Sequence, residues 1–377
     1  MIPLVQISDV CEVIAGQSPP SDTYNQDRIG VPFFQGKADF GIMSPRVRYW
    51  CSKPTKMSKP NDILFSVRAP VGPTNINNIE ACIGRGLSAI RCGAKIELNY
   101  LLHYLRANEK IIAALGTGST FKAITIRVLK ELQIPLPPLE QQKKIAAILD
   151  AADELRQKDK ALIAKYDELT QALFLDMFGD PVSNPKGWEK SETINFCTSI
   201  VPGRDKPKSF TGNTPWVTTN DLVHLGTTSQ SKANIGLTNN EIAEVRAKVI
   251  PKNSVIMTCV GDLGVITTNS KAMVVNQQLH AFLCTDRINN IFLMYNLSHQ
   301  KSYMNMMASS TTVPYMNKTV ANNVPTICPP IKLQNQFAER VKVIEEQKSI
   351  AQASAVKSEE LFNSLLQKAF SGELTNF

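Results

Sequence analysis

An internal repeat is the feature that most constrains how this 377-residue chain can fold. Sliding the sequence by 192 positions aligns residues 59–180 with residues 251–372 without a gap. Identical residues fall on one another along this length, including Cys92 on Cys284 and Pro137-Pro138 on Pro329-Pro330. The first 58 residues align with 187–250 only loosely. A repeat of this length indicates two copies of one structural module, diverged most at the start of each copy.

Each copy begins with a stretch that predicts a mixed α and β globular part. The runs DILFSV (62–67) and LSAIRC (87–92) are typical of strands, because they are short, β-branched and bounded by turn residues. The segment NYLLHYLRANEKIIAAL (99–115) has helical spacing instead. Matching runs occur in the second copy. We therefore predict one globular part over residues 1–137 and another over 181–330.

Each copy ends in a long predicted helix, within 138–180 and 331–377. Apolar residues recur every three to four positions over 139–177 with no internal Gly or Pro. Such a helix would be roughly 58 Å long at about 1.5 Å per residue, too long to bury its stripe in one module. We expect the two helices to pair antiparallel as a coiled coil that holds the modules apart on a pseudo-twofold axis. The alternative is ordinary helix packing with no further role.

The distribution of charge favours binding of a polyanion at two places. The net charge of the chain is +8, of which residues 1–137 carry +6 and residues 181–330 carry +5. Residues 138–180, between these two basic blocks, carry −3. Two basic modules separated by an acidic stretch suit a polyanion that is bound at both of them.

Several classes of protein are disfavoured by what the sequence lacks. It has no run of about 18 apolar residues and no leader peptide at its start, so we expect a cytoplasmic protein without a membrane span. The eight cysteines form no Cys-x-x-Cys pair near a histidine, so we expect reduced, mostly buried thiols and no metal site. The segment GVPFFQGKA (30–38) misses the phosphate-loop spacing and has Ala38 in place of the metal-binding hydroxyl. No diproline follows Asn or Asp, as the substrate-amide motif of an amino-methyltransferase would require.

Four segments resemble the specificity subunits of type I restriction–modification systems. They are IPLPPLEQQKKIAAILDAAD (134–153), LFLDMFGDP (173–181), NPKGW (184–188) and LLQKAFSGEL (365–374). The resemblance spans the chain and implies an α+β fold, with two target-recognition domains (1–137 and 181–330) alternating with two helical regions (138–180 and 331–377). It also implies that each domain recognises one half of a bipartite site in double-stranded DNA.

The same resemblance implies partners and an absence of chemistry. The paired helices would bind two methyltransferase subunits, to which nuclease/translocase subunits can add, and this chain would be non-catalytic. No cofactor is expected here, while S-adenosylmethionine, ATP and Mg are expected on the partner subunits. The segment ICPPIKLQNQFAERV (327–341) is more degenerate than its first-copy counterpart, so we expect the two partner surfaces to differ in strength. The stripe residues assigned to partner binding are Ile145, Leu149, Leu155, Leu162, Leu169 and Leu173, and Phe337, Val341, Ile344, Leu361 and Leu365.

Basic and polar residues in turns or after predicted strands are the candidates for DNA contact. Lys and Arg would contact phosphates, and Arg, Lys, Asn, Gln, Ser or Thr would contact base edges. The first-copy candidates are Gln35, Lys37, Arg46, Arg48, Arg68, Arg85, Ser119, Thr120 and Lys122. The second-copy candidates are Thr218, Thr219, Asn220, Gln277, Gln278, Thr311, Thr312, Asn317 and Lys318. The alternative for each is an exposed loop residue that makes no base contact.

One aligned pair predicts a chemical difference between the two half-sites. Arg85 aligns with Gln277, and Gly86 aligns with Gln278. A guanidinium matches the two acceptors of guanine, whereas a glutamine amide matches adenine. Two other functions stay open on sequence grounds: a self-sufficient nuclease or methyltransferase, which the missing motifs oppose, and a protein scaffold that uses the helices alone, which leaves the basic blocks unexplained.

Overall fold

The computed structural model describes residues 2–118, 122–203, 205–309 and 312–375. The chain divides into two compact units, Met1–Ala161 with Gln352–Phe377 (unit 1) and Leu162–Ala351 (unit 2). These divisions fall inside the two long helices, so each unit takes part of both. The domain boundaries given above, at the helix ends, follow the sequence pattern and stay predictions.

Unit 1 contains two antiparallel-rich sheets and a two-stranded pair. Its strands are β1 Leu4–Gln6, β2 Cys11–Ala15, β3 Tyr24–Asn25, β4 Val31–Phe34, β5 Tyr49–Cys51, β6 Met57–Ser58, β7 Ile63–Ser66, β8 Thr74–Ile76, β9 Ala81–Ile83, β10 Leu87–Cys92 and β11 Gln133–Pro135. The helices are α1 Ile7–Val10, α2 Leu98–Ala107, α3 Glu109–Ala114, α4 Ile126–Glu131 and the first part of α5 Leu139–Phe178. The sheet orders are β2-β10-β7-β8 and β3-β5-β4-β9-β6, and β1 pairs with β11. Within them β4 and β9 run parallel.

Unit 2 repeats this arrangement. Its strands are β12 Glu189–Glu192, β13 Cys197–Ile200, β14 Thr214–Val217, β15 Thr227–Thr228, β16 Gly236–Leu237, β17 Val249–Ile250, β18 Val255–Thr258, β19 Ile266–Asn269, β20 Met273–Val275, β21 Leu279–Cys284 and β22 Pro325–Cys328. The helices are α6 Asn239–Glu244, α7 Asn290–Ser298, α8 Lys301–Met307, α9 Lys318–Asn322 and the first part of α10 Ile331–Ser371. The sheet orders are β13-β21-β18-β19-β15 and β16-β14-β20-β17, with β12 pairing β22.

The strand pairings confirm the tandem repeat and extend it to the start of each copy. The parallel pair β4–β9, with Phe34 opposite Ile83, matches the parallel pair β14–β20, with Val217 opposite Val275. The antiparallel strands next to them, β5 and β16, also correspond. The first 58 residues therefore fold like their second-copy counterparts, although the two sequences align there only with gaps.

Both long helices are present, and each has a fully buried glutamine in its first turn. Gln142 in α5 donates from Nε2 to the carbonyls of Pro137 (2.8 Å) and Lys95 (3.0 Å), and its Oε1 accepts from the Glu97 amide (2.8 Å). In α10, Gln334 bonds in the same way to Pro329, Arg287 and Asn289. Buried polar groups are stable only when they are paired, so these glutamines fix each helix to its globular part.

Within each unit, parts of the two long helices pack antiparallel. In unit 1, Arg156 of α5 bonds Glu359 of α10 (2.9 Å), while Asp159, farther along α5, meets Ser354, which is earlier in α10. In unit 2, Lys348 bonds Asp167, and the Phe174 and Phe337 rings lie 5.5 Å apart. This pairing confirms the predicted α+β fold with two long antiparallel helices.

The predicted apolar stripe divides into buried and exposed residues. Ile145, Leu149, Phe337 and Val341 are buried, and Leu173, Ile344 and Leu365 are half-buried. Leu155, Leu162, Leu169 and Leu361 are exposed, with 46%, 42%, 50% and 47% of their surfaces accessible. The stripe thus does not serve helix pairing alone. Phe174 and Phe178, one position along the helix from Leu173 and Met177, fill the unit 2 core, where Phe178 contacts the rings of Phe292 and Phe337.

Candidate nucleic-acid interface

Four of the sequence-predicted residues line one cleft in unit 1. The cleft has a volume of about 560 Å³. Gln35, Lys37, Arg68 and Arg85 line it together with Ser18, Tyr24, Gly36, Ser66, Ala69 and Gly86. We call this site the unit 1 cleft. The four predicted residues, which come from three separate parts of the sequence, therefore meet at one concave surface.

The parallel pairing of β4 with β9 brings these residues together. Because both strands end at the same edge, the segments after them, 35–37 and 84–86, lie side by side, and the Gly84 amide donates to the Phe34 carbonyl (2.8 Å). A Cβ added to Gly86 would come within 2.4 Å of the Gln35 carbonyl oxygen, so the approach of these two segments requires glycine at position 86. Ser66, at the end of β7, and Arg68, just beyond it, reach the cleft from the other sheet, and the Val67 amide donates to the Gly86 carbonyl (3.0 Å).

A buried carboxylate shapes the turn that carries Gln35 and Lys37. Asp39, only 1% exposed, accepts hydrogen bonds from the amides of Gln35 (2.6 Å) and Gly36 (3.3 Å). Its other oxygen accepts from Arg48 Nε (2.9 Å) and Nη2 (2.7 Å). The Arg48 guanidinium is thereby paired within the chain, which leaves it less free for phosphate than the other candidate cations.

The cations of the unit 1 cleft have no such pairing. Lys37, Arg68 and Arg85 are all exposed, and none forms an ion pair with any residue that the structure describes. Three like charges around one cleft without carboxylates create a positive potential there. Arg85 also donates its backbone amide to Ser18 Oγ (3.3 Å), which ties the loop rather than the side chain.

Thr117 and the segment from Lys122 to Ile124 lie close to the end of β7. Ala123 forms isolated antiparallel β-bridges with Arg68 and with Thr117, and the Ile124 amide donates to the Val67 carbonyl (2.9 Å). This places the exposed Lys122 beside Arg68 in the fold. Ser119 and Thr120 lie outside the described residues, as does Thr311 in the second copy. Arg46 is exposed but does not line the cleft.

Unit 2 has the same loop framework with different side chains. Asn276 follows β20 and donates its amide to the Val217 carbonyl (3.0 Å), as Gly84 does to Phe34. Asp221 replaces Asp39 and accepts from the amide (2.7 Å) and the hydroxyl (2.8 Å) of Thr218. Burial opposes ionisation of Asp221, but the amides of Lys232 and Thr218 outweigh it and lower the pKa of this carboxyl. Thr218 is therefore held in the turn.

The remaining second-copy candidates occupy this edge or its neighbourhood. Thr219, Asn220 and Gln277 follow the two parallel strands, and Gln277 is exposed. Gln278 is held by a hydrogen bond from Asn276 Nδ2 to its Oε1 (3.0 Å). Asn317 caps α9 by accepting from the Val320 amide (3.0 Å), and Thr312 and Lys318 are exposed nearby in sequence. We call Thr219, Val260, Gln277 and Gln278 the unit 2 loop surface.

The two surfaces differ most in charge. At the repeat spacing, Arg85 corresponds to Gln277, Arg68 to Val260 and Gly86 to Gln278, while Thr219 takes the place of Lys37 in the turn. Even the aromatic pair beneath is kept, with Tyr24 against Phe33 in unit 1 and Phe210 against Trp216 in unit 2. The framework is shared, and the cations Lys37, Arg68 and Arg85 of unit 1 are replaced by the neutral residues Thr219, Val260 and Gln277 in unit 2.

Other kinds of site are not found in the part of the chain that the structure describes. Over residues 2–118, 122–203, 205–309 and 312–375, no group of three or more His, Cys, Asp or Glu is placed to hold a metal ion. Among these same residues, no helix has the length and apolar character needed to cross a membrane.

Comparison with known proteins gives a family match over most of the chain. A family model described as the type I restriction modification DNA specificity domain matches residues 4–165 and again 185–355. A putative type I restriction enzyme MjaX specificity subunit of Methanocaldococcus jannaschii is 45% identical over 168 residues, which are 44% of this chain and 40% of that relative. The chain thus spans less than half of that relative's length. The MjaIX specificity subunit of the same organism is 24% identical over 98% of this chain and 92% of its own length.

Solved structures show the same fold. The crystal structure of a type I restriction–modification S subunit from M. genitalium has a TM-score of 0.63 at 16% identity, covering 98% of this chain and 96% of that one. A chain from a structure of complex assembly and conformational transition of the type I R-M system has a TM-score of 0.57 at 19% identity, covering 98% of both chains.

Proposed function

This chain belongs to the type I restriction–modification DNA specificity family, and we propose that it recognises a bipartite DNA target and positions methyltransferase subunits on it. Membership of the family makes it a non-catalytic subunit concerned with DNA specificity. The proposal adds that each unit recognises one half of the target, and that the two long helices set the spacing between the halves and bind the partners.

The unit 1 cleft is the observation that carries the proposal. Lys37, Arg68 and Arg85 converge there without internal ion pairs, and the exposed Gln35 adds a neutral donor and acceptor. Such a mixture suits duplex DNA, because phosphates need cations and base edges need directional hydrogen bonds. We assign Lys37 and Arg68 to the phosphates and Arg85 to a guanine edge.

The unit 2 loop surface supports readout of a different half-site. Gln277 is exposed and presents an amide that can pair with the two groups of adenine in the major groove. Thr219 and Asn220 beside it add short hydrogen-bonding side chains. The target that we propose therefore has two different half-sites. One contains guanine at the position read by Arg85, and the other contains adenine at the position read by Gln277.

The exposed leucines of α5 support partner binding. Leu155, Leu162 and Leu169 recur at seven-residue intervals, a spacing that places them on one face of a helix. On α10, Val343 and Ile350 are also seven residues apart and are 58% and 63% exposed. Exposed apolar positions in this pattern suit helices of a partner, and we propose two methyltransferase subunits, to which nuclease/translocase subunits add. S-adenosylmethionine, ATP and Mg would then be bound by those partners.

A cytoplasmic location also belongs to this proposal. One support is that all eight cysteines are free thiols. Another is that a DNA-modifying complex needs access to the chromosome.

Co-expression with a cognate methyltransferase subunit, followed by genome-wide mapping of methylated bases, tests the proposal. We expect one bipartite motif with two defined half-sites separated by bases of any sequence. The chain alone with S-adenosylmethionine serves as the control and is expected to give no methylation. A continuous motif, or methylation by the chain alone, would contradict the proposal.

A further inference from the structure

Four of the eight free cysteines form two facing pairs at equivalent places in the two units. Cys11 of β2 lies directly opposite Cys92 of β10, and Cys197 of β13 lies directly opposite Cys284 of β21. In both sheets the first strand of the pair is at the edge. Because the arrangement occurs twice on matching strands, it belongs to the duplicated module and is independent of the DNA-facing loops.

The local geometry of the unit 1 pair fits a disulfide bond. The Gly93 amide donates to the Val10 carbonyl (2.8 Å), and these residues flank the pair, so Cys11 and Cys92 occupy a non-hydrogen-bonded position of the ladder. Side chains approach most closely at such positions, where Cα atoms are about 4.5 Å apart. That separation lies within the range of about 4.4–6.8 Å that a disulfide requires.

The two thiols already interact, and they differ in ionisation and access. A hydrogen bond from the Cys92 thiol lowers the pKa of Cys11 despite its burial, and the Gly93 amide adds to the effect. The same hydrogen bond raises the pKa of Cys92. Cys11 is buried, whereas Cys92 is partly exposed. In unit 2, Cys197 is likewise buried beside a partly exposed Cys284, and their hydrogen bond raises the pKa of Cys197.

We propose that each facing pair is a reversible dithiol–disulfide site that a peroxide oxidises. In unit 1, the Cys11 thiolate attacks one oxygen of hydrogen peroxide, the O–O bond breaks, and the departing hydroxide takes up a proton and leaves as water. The Cys92 sulfur then attacks the Cys11 sulfenic acid, which forms the S–S bond and releases the oxygen as a second water with the Cys92 proton. The two sulfurs are oxidised and the peroxide is reduced to water. Two molecules of a low-molecular-weight thiol then reduce the disulfide to two thiols by exchange and are themselves oxidised to their own disulfide.

The other cysteines provide internal controls. Cys51 and Cys82 lie on β5 and β9, which β4 separates, so their backbones are about 9–10 Å apart, two strand spacings. That distance exceeds the disulfide limit of about 7 Å. Cys259 is buried and has no facing cysteine in β18, β19 or β21. Cys328 packs against the same hydrophobic cluster as Cys197 and Cys284, whereas its unit 1 counterpart is Leu136.

Peptide mapping of the intact chain tests the proposal. The folded protein is treated with hydrogen peroxide, free thiols are alkylated under denaturing conditions, and cross-linked peptides are identified by mass spectrometry before and after reduction. We expect linked peptides for Cys11–Cys92 and Cys197–Cys284, with Cys51, Cys82 and Cys259 alkylated. Cys92→Ser and Cys284→Ser should each remove one linked peptide and keep the other, and Cys328→Ser should keep both.

Two results would overturn the proposal. One is alkylation of all four cysteines after peroxide treatment of the folded chain. The other is cross-linking of Cys51 to Cys82 to the same extent as the facing pairs, which would indicate oxidation of an unfolded chain. The mapping needs no DNA and no partner, so its outcome is independent of the proposed function.

Discussion

The unit 1 cleft and the unit 2 loop surface are built on one framework and carry different chemistry. Both follow a parallel pair of strands, and both have a turn closed by a buried carboxylate, Asp39 or Asp221. The outward side chains are cationic in unit 1 and neutral in unit 2. Duplication has therefore preserved the loop backbone of both units, while a few loop side chains give the two surfaces a different chemistry.

The largest expected effect concerns the shared framework rather than the surfaces. Phe178 is fully buried among Phe174, Phe292 and Phe337, whereas its counterpart Phe370 is only half-buried. Phe178→Ala should lower the free energy of unfolding of unit 2 by about 3–5 kcal/mol, because it leaves a cavity in a closed core. Hydrogen exchange of the two units measures this. Phe370→Ala should cost less in unit 1, and equal or reversed losses would contradict the difference in burial.

Low pH should destabilise unit 2 more than unit 1, and this is the second largest expected effect. Burial lowers the pKa of His280 to about 4, against the hydrogen bond with Asn322 and with help from Lys318, and the matching residue in unit 1 is Ser88. The folded chain keeps His280 neutral where the unfolded chain, with a pKa of 6.5, is protonated. The stability that this histidine contributes is therefore complete above about pH 6.5 and is lost as the pH falls towards 4, by about 3 kcal/mol in all.

Burial also lowers the pKa values of His224 and His299, both in unit 2, so their effects have the same sign. Hydrogen exchange at pH 7 and pH 5 should show unit 2 opening more at the lower pH. His280→Ser, which copies the unit 1 residue, should reduce this pH dependence. If the variant keeps the full pH dependence, His280 is not its source.

Base readout should differ between the units by a smaller amount. Arg85→Gln copies the unit 2 residue and should shift preference from guanine to adenine at one position of one half-site. The expected change in discrimination is about 1–3 kcal/mol, or about fivefold to 150-fold in relative affinity. Competition binding with duplexes altered in one half-site measures it, and Gln277→Ala is the matched control for the other half-site. Equal weakening over both half-sites would refute the assignment of Arg85.

Salt dependence should show the smallest difference. Lys37→Ala or Arg68→Ala should each reduce the slope of log affinity against log salt concentration by about one, with little change in sequence preference. Thr219→Ala, at the corresponding place in unit 2, should leave the slope unchanged. Titrations at several salt concentrations distinguish these outcomes, and an equal change for Thr219→Ala would remove the difference in charge as the cause.

The sequence predicts the scaffold better than the site. The repeat and the helical spacing predict a helix over 139–177, and the structure has α5 over Leu139–Phe178. The stripe assignment misses Phe174 and Phe178 by one position, because Leu173 and Met177 have the same spacing and only packing distinguishes the two rows. The burial of Gln142 and Gln334 is not evident from the apolar pattern, although the two glutamines align at the repeat spacing shortly after each diproline.

The site is predicted in composition but not in geometry. Gln35, Lys37, Arg68 and Arg85 are identifiable as candidates, yet their meeting depends on the parallel β4–β9 pair, which joins segments about fifty residues apart in sequence. Strand pairing at that distance leaves no local signal. The pairing of Arg48 with Asp39 is not evident from the sequence either, because it depends on the path that the chain takes between β4 and β5.

Lengthening both long helices tests whether these helices set the distance between the two half-sites. One helical turn is inserted in α5 near residue 161 and one in α10 near residue 351, where the chain passes between the two units. Methylated sites are then mapped after co-expression with the methyltransferase subunit. We expect the same two half-sites with a longer spacer between them. An unchanged spacer, or altered half-sites, would contradict the claim that two separate modules recognise DNA at a distance set by the helices.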